Sequence, residues 1–459
     1  MFGGPGATLS YATGPNAGQT ITNPAALNGK GLAAAIITSD NELRSFNNFT
    51  NDLRASKLWQ LGSGELTTTA GFYKSNQKID TVSTNTSQIS EVLGDGSAAL
   101  LNVTTATRVP LNEKGVYAYD ATFFGGIPRK RLNVEYDTNA AFGSLNYRWD
   151  RFSVGGSLRY DFGGANGTIY SSQVNGASGS VARDINGDGV ISAPERKVGI
   201  IPLTSSAPVD YTYNYMSYSA GVNFRVSEPL AVFARYSRGA RVNSDRLLFS
   251  PAISTVNGGL ANPGALIDYV KQAEAGVKYR KSGLTLKLTA FWASTLEHQV
   301  YFGPIIDRQY KTCGFEFEGG YRTDIFSITA GATYTKGEIE KDAINPTMNG
   351  KTPGGQPKLF GFVTPMMDTE LFSLGANVYG LTSLFAQDAN QLKLPGYVTV
   401  NPFVQVRPAP RVTVSLNVNN LFNAKGISAA SVPTLPASGI VMVQGINART
   451  ASASVRFDF

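Results

Sequence analysis

The stretch that decides the fold is the closing run NARTASASVRFDF, residues 447–459. From Ala451 every second side chain is apolar: Ala451, Ala453, Val455, Phe457 and Phe459. Between them stand Ser452, Ser454, Arg456 and Asp458. A strand sends successive side chains to opposite faces, so one face of this run is apolar and the other polar. A soluble sandwich could bury the apolar face, but a wall of strands set in lipid wants the same pattern: apolar outside, wet inside, aromatics at the water boundary.

The pattern repeats upstream. Val412, Val414, Leu416 and Val418 alternate with Thr413, Ser415 and Asn417; Leu284, Leu286 and Leu288 alternate with Thr285, Lys287 and Thr289. The polar sets are mostly Ser, Thr, Asn and Gly, which suits a crowded polar lumen better than the charged surface of a soluble sandwich. Trp59, Trp149 and Trp292 sit near the ends of such runs, where an aromatic belt belongs.

Composition agrees. At 459 residues the chain has room for two or three soluble domains or one large barrel. Charged residues are sparse at 16%, and no apolar run approaches the ~18 residues of a spanning helix. Spanning strands need only ~9–11 residues each. One cysteine, Cys313, excludes an intrachain disulfide framework, and one histidine, His298, argues against a His-based metal or acid–base centre. Nothing points to a redox cofactor. No Ser/His/Asp constellation supports hydrolase chemistry, so the chain reads as no enzyme. The net charge of +7 is scattered, with no nucleic-acid footprint. The start, MFGGPGATLSYATG, lacks a secretory signal. An outer-membrane chain with this start has lost its signal or is a fragment.

In chain order, 1–43 reads as loop and N-terminal remnant and 44–459 as an incomplete barrel. Short turns at LGSG (61–64), Asp150–Arg151, SEP (227–229), KSG (281–283), Thr323–Ile325, DTEL (368–371) and PAP (408–410) alternate with long connections. This is the rhythm of an all-β, transmembrane, antiparallel up-and-down barrel with one short rim and long extracellular loops. About 15–16 strands are legible, which suggests part of a 22-stranded barrel. GGANG at 163–167 lacks the strand-to-helix context of a phosphate loop.

The sharpest local motif is DINGDGVISAPE (184–195), inside an extracellular insertion placed at about 163–208. It matches a Ca2+ loop: Asp184, Asn186 and Asp188 offer side-chain oxygens, Val190 a carbonyl, Ser192 a direct or water-bridged ligand and Glu195 a bidentate carboxylate. The other reading is a solvated Asp/Gly turn. Arg235, Arg241 and Arg246 lie on or above one strand, where they could meet an anionic ligand or form lumen salt bridges. His298 reads as an inert surface residue and Cys313 as packing.

The segments FARYSRGARVNSDRLLF (233–249), QAEAGVKYRKSGLTLKLTAFWAS (272–294), GFEFEGGYRTDIFSITAGATYT (314–335), LPGYVTVNPFVQV (394–406) and SLNVNNLFNAKG (415–426), with the closing aromatic, resemble the barrel of TonB-dependent outer-membrane receptors. The resemblance covers residues 130–459 and extends to 44–76. It implies a bacterial outer-membrane location and contact with outer-membrane lipid. It also implies uptake of a scarce nutrient such as a ferric siderophore, cobalamin or an oligosaccharide, driven by the inner-membrane protein TonB. The family's plug domain and TonB-engaging box are not visible in this sequence. Val455, Phe457 and Phe459 resemble the signal read by the barrel assembly machinery. A passive porin-like channel and a soluble β-rich calcium-binding adhesion protein remain as alternatives.

Overall fold

The computed structural model describes residues 6–458 other than 24–32, 94–96, 121–129, 172–179, 201–205, 243–253, 255, 261–262, 300–305, 431–433, 436–438 and 440. One antiparallel sheet of 16 strands dominates it; Val116–Tyr119 is attached to it off the main path, which leaves fifteen strands in strict chain order. The tall ones come first: β1 (Ala33–Leu61), β2 (Gly64–Glu91), β3 (Lys130–Trp149), β4 (Phe152–Ser171) and β5 (Ser206–Ser227). The middle ones are β6 (Leu230–Val242), β7 (Ile267–Lys281), β8 (Leu284–Gln299), β9 (Ile306–Arg322) and β10 (Phe326–Asp342). The low ones are β11 (Leu359–Asp368), β12 (Phe372–Leu381), β13 (Tyr397–Ala409), β14 (Val412–Asn419) and β15 (Thr450–Phe457). Each pairs with its successor, and β1 and β15 form the two edges of the described pairing.

Seven connections of two or three residues make one rim. Ser282 and Gly283 both take left-handed φ, 49° and 79°, the backbone of the tight hairpin turn whose twist matches that of its strands. The opposite rim carries the long connections.

Register separates the faces. The rows Val412↔Phe457, Val414↔Val455 and Leu416↔Ala453 put the apolar set together, with Thr413↔Arg456 and Ser415↔Ser454 on the other side. The same parity carries Leu288↔Phe317 and Val222↔Val154. Phe457, Leu416, Val398, Phe315 and Leu288 are all exposed, with nothing of the chain over them. So large a continuous apolar face is stable against hydrocarbon and costly in water. Trp59 and Trp149 lie beside the short rim, whereas Trp292 stands nine residues into β8; the aromatics form two belts.

Three expectations need correction. Residues 1–43 are not loop throughout: β1 begins at Ala33, and Thr8–Tyr11 pairs with Thr20–Ile21 and Leu101–Thr104 in a small sheet of its own. The insertion expected at 163–208 shrinks to 172–205, because Ser206↔Tyr170 extends the β4–β5 ladder well beyond Phe162. Gly163 belongs to that ladder; a Cβ there would meet the Asp137 carbonyl at 1.9 Å, so the glycine marks close approach and not a loop. Alternation also misses the outer ends of β2, β9 and β10, where both faces leave lipid while the backbone ladder continues.

No helix among the described residues is long and apolar enough to cross a membrane, which says nothing of strands.

Candidate functional site

The inner face changes character with height along β1–β5. Near the short rim, Arg148 pairs with Glu65. Higher up, Arg159 grips Asp161 at 2.8 Å and stacks 5.2 Å from the Tyr73 ring and 5.7 Å from the Phe142 ring. Tyr213 reaches across to Thr138 at 2.6 Å. Above this layer Ile79, Leu132, Val134, Tyr136, Ala165, Ile169, Ala207 and Val209 form a buried apolar cluster. Leu9, Ile89, Leu101 and Val103 make a second one where the N-terminal sheet packs. Lys130 is buried at the outer edge of the first cluster, and that burial pushes its ammonium pKa down. Sequence reading missed it; only its inward parity with Leu132 could have pointed to it.

On the middle strands the inner face is polar. Arg225, Lys278, Arg280, Lys287, Glu316 and Glu318 line a recess of about 820 Å³ near the short rim, with Lys287 bonded to Glu318 at 2.9 Å. Arg235 shares this face, opposite Glu274 in register. Arg241 sits higher and donates to Asp268 at 3.1 Å. The two arginines therefore do not converge as a pair, and Arg246 lies outside the described residues.

Asp268 serves more than Arg241. Its Oδ1 accepts the backbone N–H of His298 at 3.0 Å and lies 3.2 Å from Nδ1 of the same ring. Nε2 faces Asp307 at 3.6 Å. His298 is 7% exposed, so the reading of it as an inert surface residue is overturned. The Asp268 hydrogen bond raises its pKa above 6.5; burial opposes this, and the charges of Asp307 and Asp268 add to the rise. It is the fifteenth residue of β8 from the short rim, beyond the ~9–11 that span lipid. Nothing in the local sequence announces this pairing, because the partners come from β7 and β9.

The 184–195 loop is closed by its own backbone. Asp184 accepts from Gly187 at 2.6 Å and Gly189 at 2.8 Å, Asn186 from Asp188 and Asp188 from Val190, both at 2.9 Å. Glu195 is buried; its carboxylate accepts from the N–H groups of Ile185 at 2.8 Å, Asn186 at 3.1 Å and Ser192 at 3.0 Å, and from the Ser192 hydroxyl at 2.7 Å. The Ser192 backbone bond leads in holding its pKa down at about 2, against the burial that would raise it. The loop docks on the connection after β2 through Glu113–Asn186 at 3.4 Å and Lys114–Asp188 at 3.9 Å. Hard oxygens at alternate positions suit a divalent ion by their chemistry. Yet among the described residues no three His, Cys, Asp or Glu side chains converge on a metal position.

Val455 and Phe457 are exposed on the lipid face, and Phe459 lies outside the described residues.

The model of the "TonB dependent receptor-like, beta-barrel" family matches residues 2–421. No curated protein matches the sequence. Among solved structures, the ferric yersiniabactin uptake receptor FyuA of Yersinia pestis superposes with a TM-score of 0.56 at 14% identity, over 93% of this chain and 61% of that one. The siderophore receptor PiuA of Acinetobacter baumannii gives 0.54 at 14% identity, over 90% and 64%. The ferric-catecholate import receptor Fiu of E. coli gives 0.53 at 16% identity, over 93% and 64%. At these identities the likeness is one of fold. The chain thus spans 61–64% of the length of these three receptors.

Proposed function

Because the chain belongs to the TonB-dependent receptor β-barrel family, we propose that it is the outer-membrane wall of a receptor that imports a scarce nutrient, with ferric siderophores as the cargo class. The family match over residues 2–421 carries this reading. The names of FyuA, PiuA and Fiu support the cargo class, as does the cation-bearing inner face, since many iron chelates are anionic. TonB would supply the energy and the barrel assembly machinery the insertion, with Val455, Phe457 and Phe459 as its signal. Arg235, Arg241 and Arg246 would meet anionic cargo; Arg241 would have to share its Asp268 contact.

The test is uptake of ferric siderophores by iron-starved cells carrying the gene, with and without TonB. Uptake that needs both supports the reading. Cargo-independent conductance in planar bilayers would favour a passive channel, and a monomer soluble without detergent would favour the adhesion protein.

For the 184–195 loop we propose calcium binding on its donor sequence. Asp184, Asn186, Asp188, Ser192 and Glu195, with the Val190 carbonyl, would hold the ion after turning from the amides they now serve. The ion would stiffen the loop, whose ordering otherwise costs entropy.

A further inference from the structure

The inner face near the short rim combines two features that a plain water-lined wall does not need. One register row starts at Arg225 on β5 and passes through Ala231 on β6 to Lys278 and Lys287 on β7 and β8. It continues through Glu318 on β9 and Gly331 on β10 to Phe362 on β11. Its parity is opposite to that of Val277, Leu288 and Phe317, the lipid-facing set, so the row faces the lumen. Counted from the short rim, it climbs from the third residue of β5 to the seventh of β11. Arg280 stands in the inner row below, and Glu316 and Phe360 in the inner row above. All of them line one recess of about 820 Å³.

Cations gather on one side of it. Lys278 and Lys287 oppose each other directly, an arrangement that repels. Glu318 answers Lys287, but among the described residues Arg225, Lys278 and Arg280 make no ion pair. The Lys278 ammonium lies 4.4 Å from the Phe233 ring, which steadies it without neutralising it. On the other side Phe360 and Phe362 are exposed, although they face the lumen and not lipid. Between the two sides stand Gly320, Thr329 and Gly331, too small to fill the gap. A Cβ at Gly331 would meet the Phe362 ring at 2.5 Å, so the ring leans over that gap. With strands ~4.8 Å apart, Lys287 and Phe362 are about 14 Å apart along the sheet. Their side chains reach into that span and leave space for a single ring with its acid group. Uncovered rings facing uncompensated cations suit a molecule that is itself a ring bearing negative charge.

Resting on the import reading, we propose that this recess is an exit site for aromatic anionic cargo, separate from the mouth where Arg241 stands. The ring lies on Phe360 and Phe362. Its carboxylate or phenolate oxygens meet Lys278, Arg280 and Lys287, which turns the repulsion between the two lysines into a joint contact. Barrels of this class turn their short rim to the periplasm, so the recess is the last stretch of lumen that cargo passes.

The full chain, folded in detergent micelles, is dialysed to equilibrium against 2,3-dihydroxybenzoate, against catechol and against cyclohexanecarboxylate. Wild type binds the first; the ring without its acid and the acid without an aromatic ring bind about tenfold more weakly. Lys278→Gln with Arg280→Gln lowers affinity about tenfold. Phe362→Leu lowers it about threefold, and Lys278→Arg keeps it. Lys311→Gln removes the same charge from the lipid face and changes nothing. Heat-resistant migration in gels shows that each variant is folded. Wild-type affinity in the double variant, equal binding of cyclohexanecarboxylate, or no binding of 2,3-dihydroxybenzoate by wild type would each overturn the site. Probe binding that is lost with Lys278 and Arg280, in a chain that imports no ferric siderophore, keeps the site and removes the import reading. Import together with unchanged probe affinity in the double variant does the reverse.

Discussion

The tall wall and the low wall solve different problems with the same ladder. β1–β5 run 20–29 residues, against 8–13 in β11–β15. A bilayer asks for ~9–11, so the low wall is little more than the crossing itself, while the tall wall stands far into the outer aqueous phase. Once clear of lipid, a strand needs another way to bury apolar surface, and it turns it inward. Hence the cluster of Ile79, Leu132, Val134 and Ile169 lies on the inner face, the side that is polar near the short rim. Height, not face alone, decides which side of the sheet is apolar.

The largest expected effect breaks the tall wall at its own core. Leu132→Ala leaves a cavity among fixed neighbours and should cost about 2–5 kcal/mol. Leu416→Ala, on the lipid face of the low wall, opens no cavity, since acyl chains fill in, and should cost about 1–2 kcal/mol. Urea unfolding from phosphatidylcholine vesicles measures both; equal losses would erase the distinction between the walls.

Next comes the loop that rides on the tall wall. Glu195→Ala strands the amides of Ile185, Asn186 and Ser192, so hydrogen exchange across 184–195 should accelerate while the β13–β15 amides stay protected. In wild type the depressed carboxylate contributes stability that is present above its ordinary 4.5 and lost as pH falls towards about 2. Exchange in that window should rise in the loop and not in the variant. Calorimetry with calcium sharpens the same comparison: heat in wild type and none in Glu195→Ala supports an ion, and equal heats retire it.

The smallest effect concerns the junction between the walls. His298 has a raised pKa, so its bridge to Asp268 and Asp307 is fully present below 6.5 and fades as pH climbs through the folded-state value. His298→Gln should flatten that dependence in the unfolding midpoint, and an unchanged pH slope would show that the ring bears no load.

How much of this was legible follows from the same physics. Two-residue alternation reports lipid on one side and water on the other, so NARTASASVRFDF and SGLTLKLTA gave strand, face and class together. It fails where a strand has left lipid and its own side chains do not alternate, which is why Ala33–Leu43 reads as loop and GGANG as a break although Ala165 is buried in the inner cluster. The 184–195 loop was legible because its donors are close in sequence. The Arg241–Asp268–His298–Asp307 group was not, because each member comes from a different strand and only register brings them together. The short turns were readable, since turns are local; the apolar inner cluster was not, since its members are spread over four strands.

The short rim has a mechanical consequence. Its seven connections hold two or three residues apiece, so on that side the wall ends in bare hinges with no lever to grasp. Such an edge has too few residues to be drawn out, so any change of shape in this wall falls to the long connections of the opposite rim.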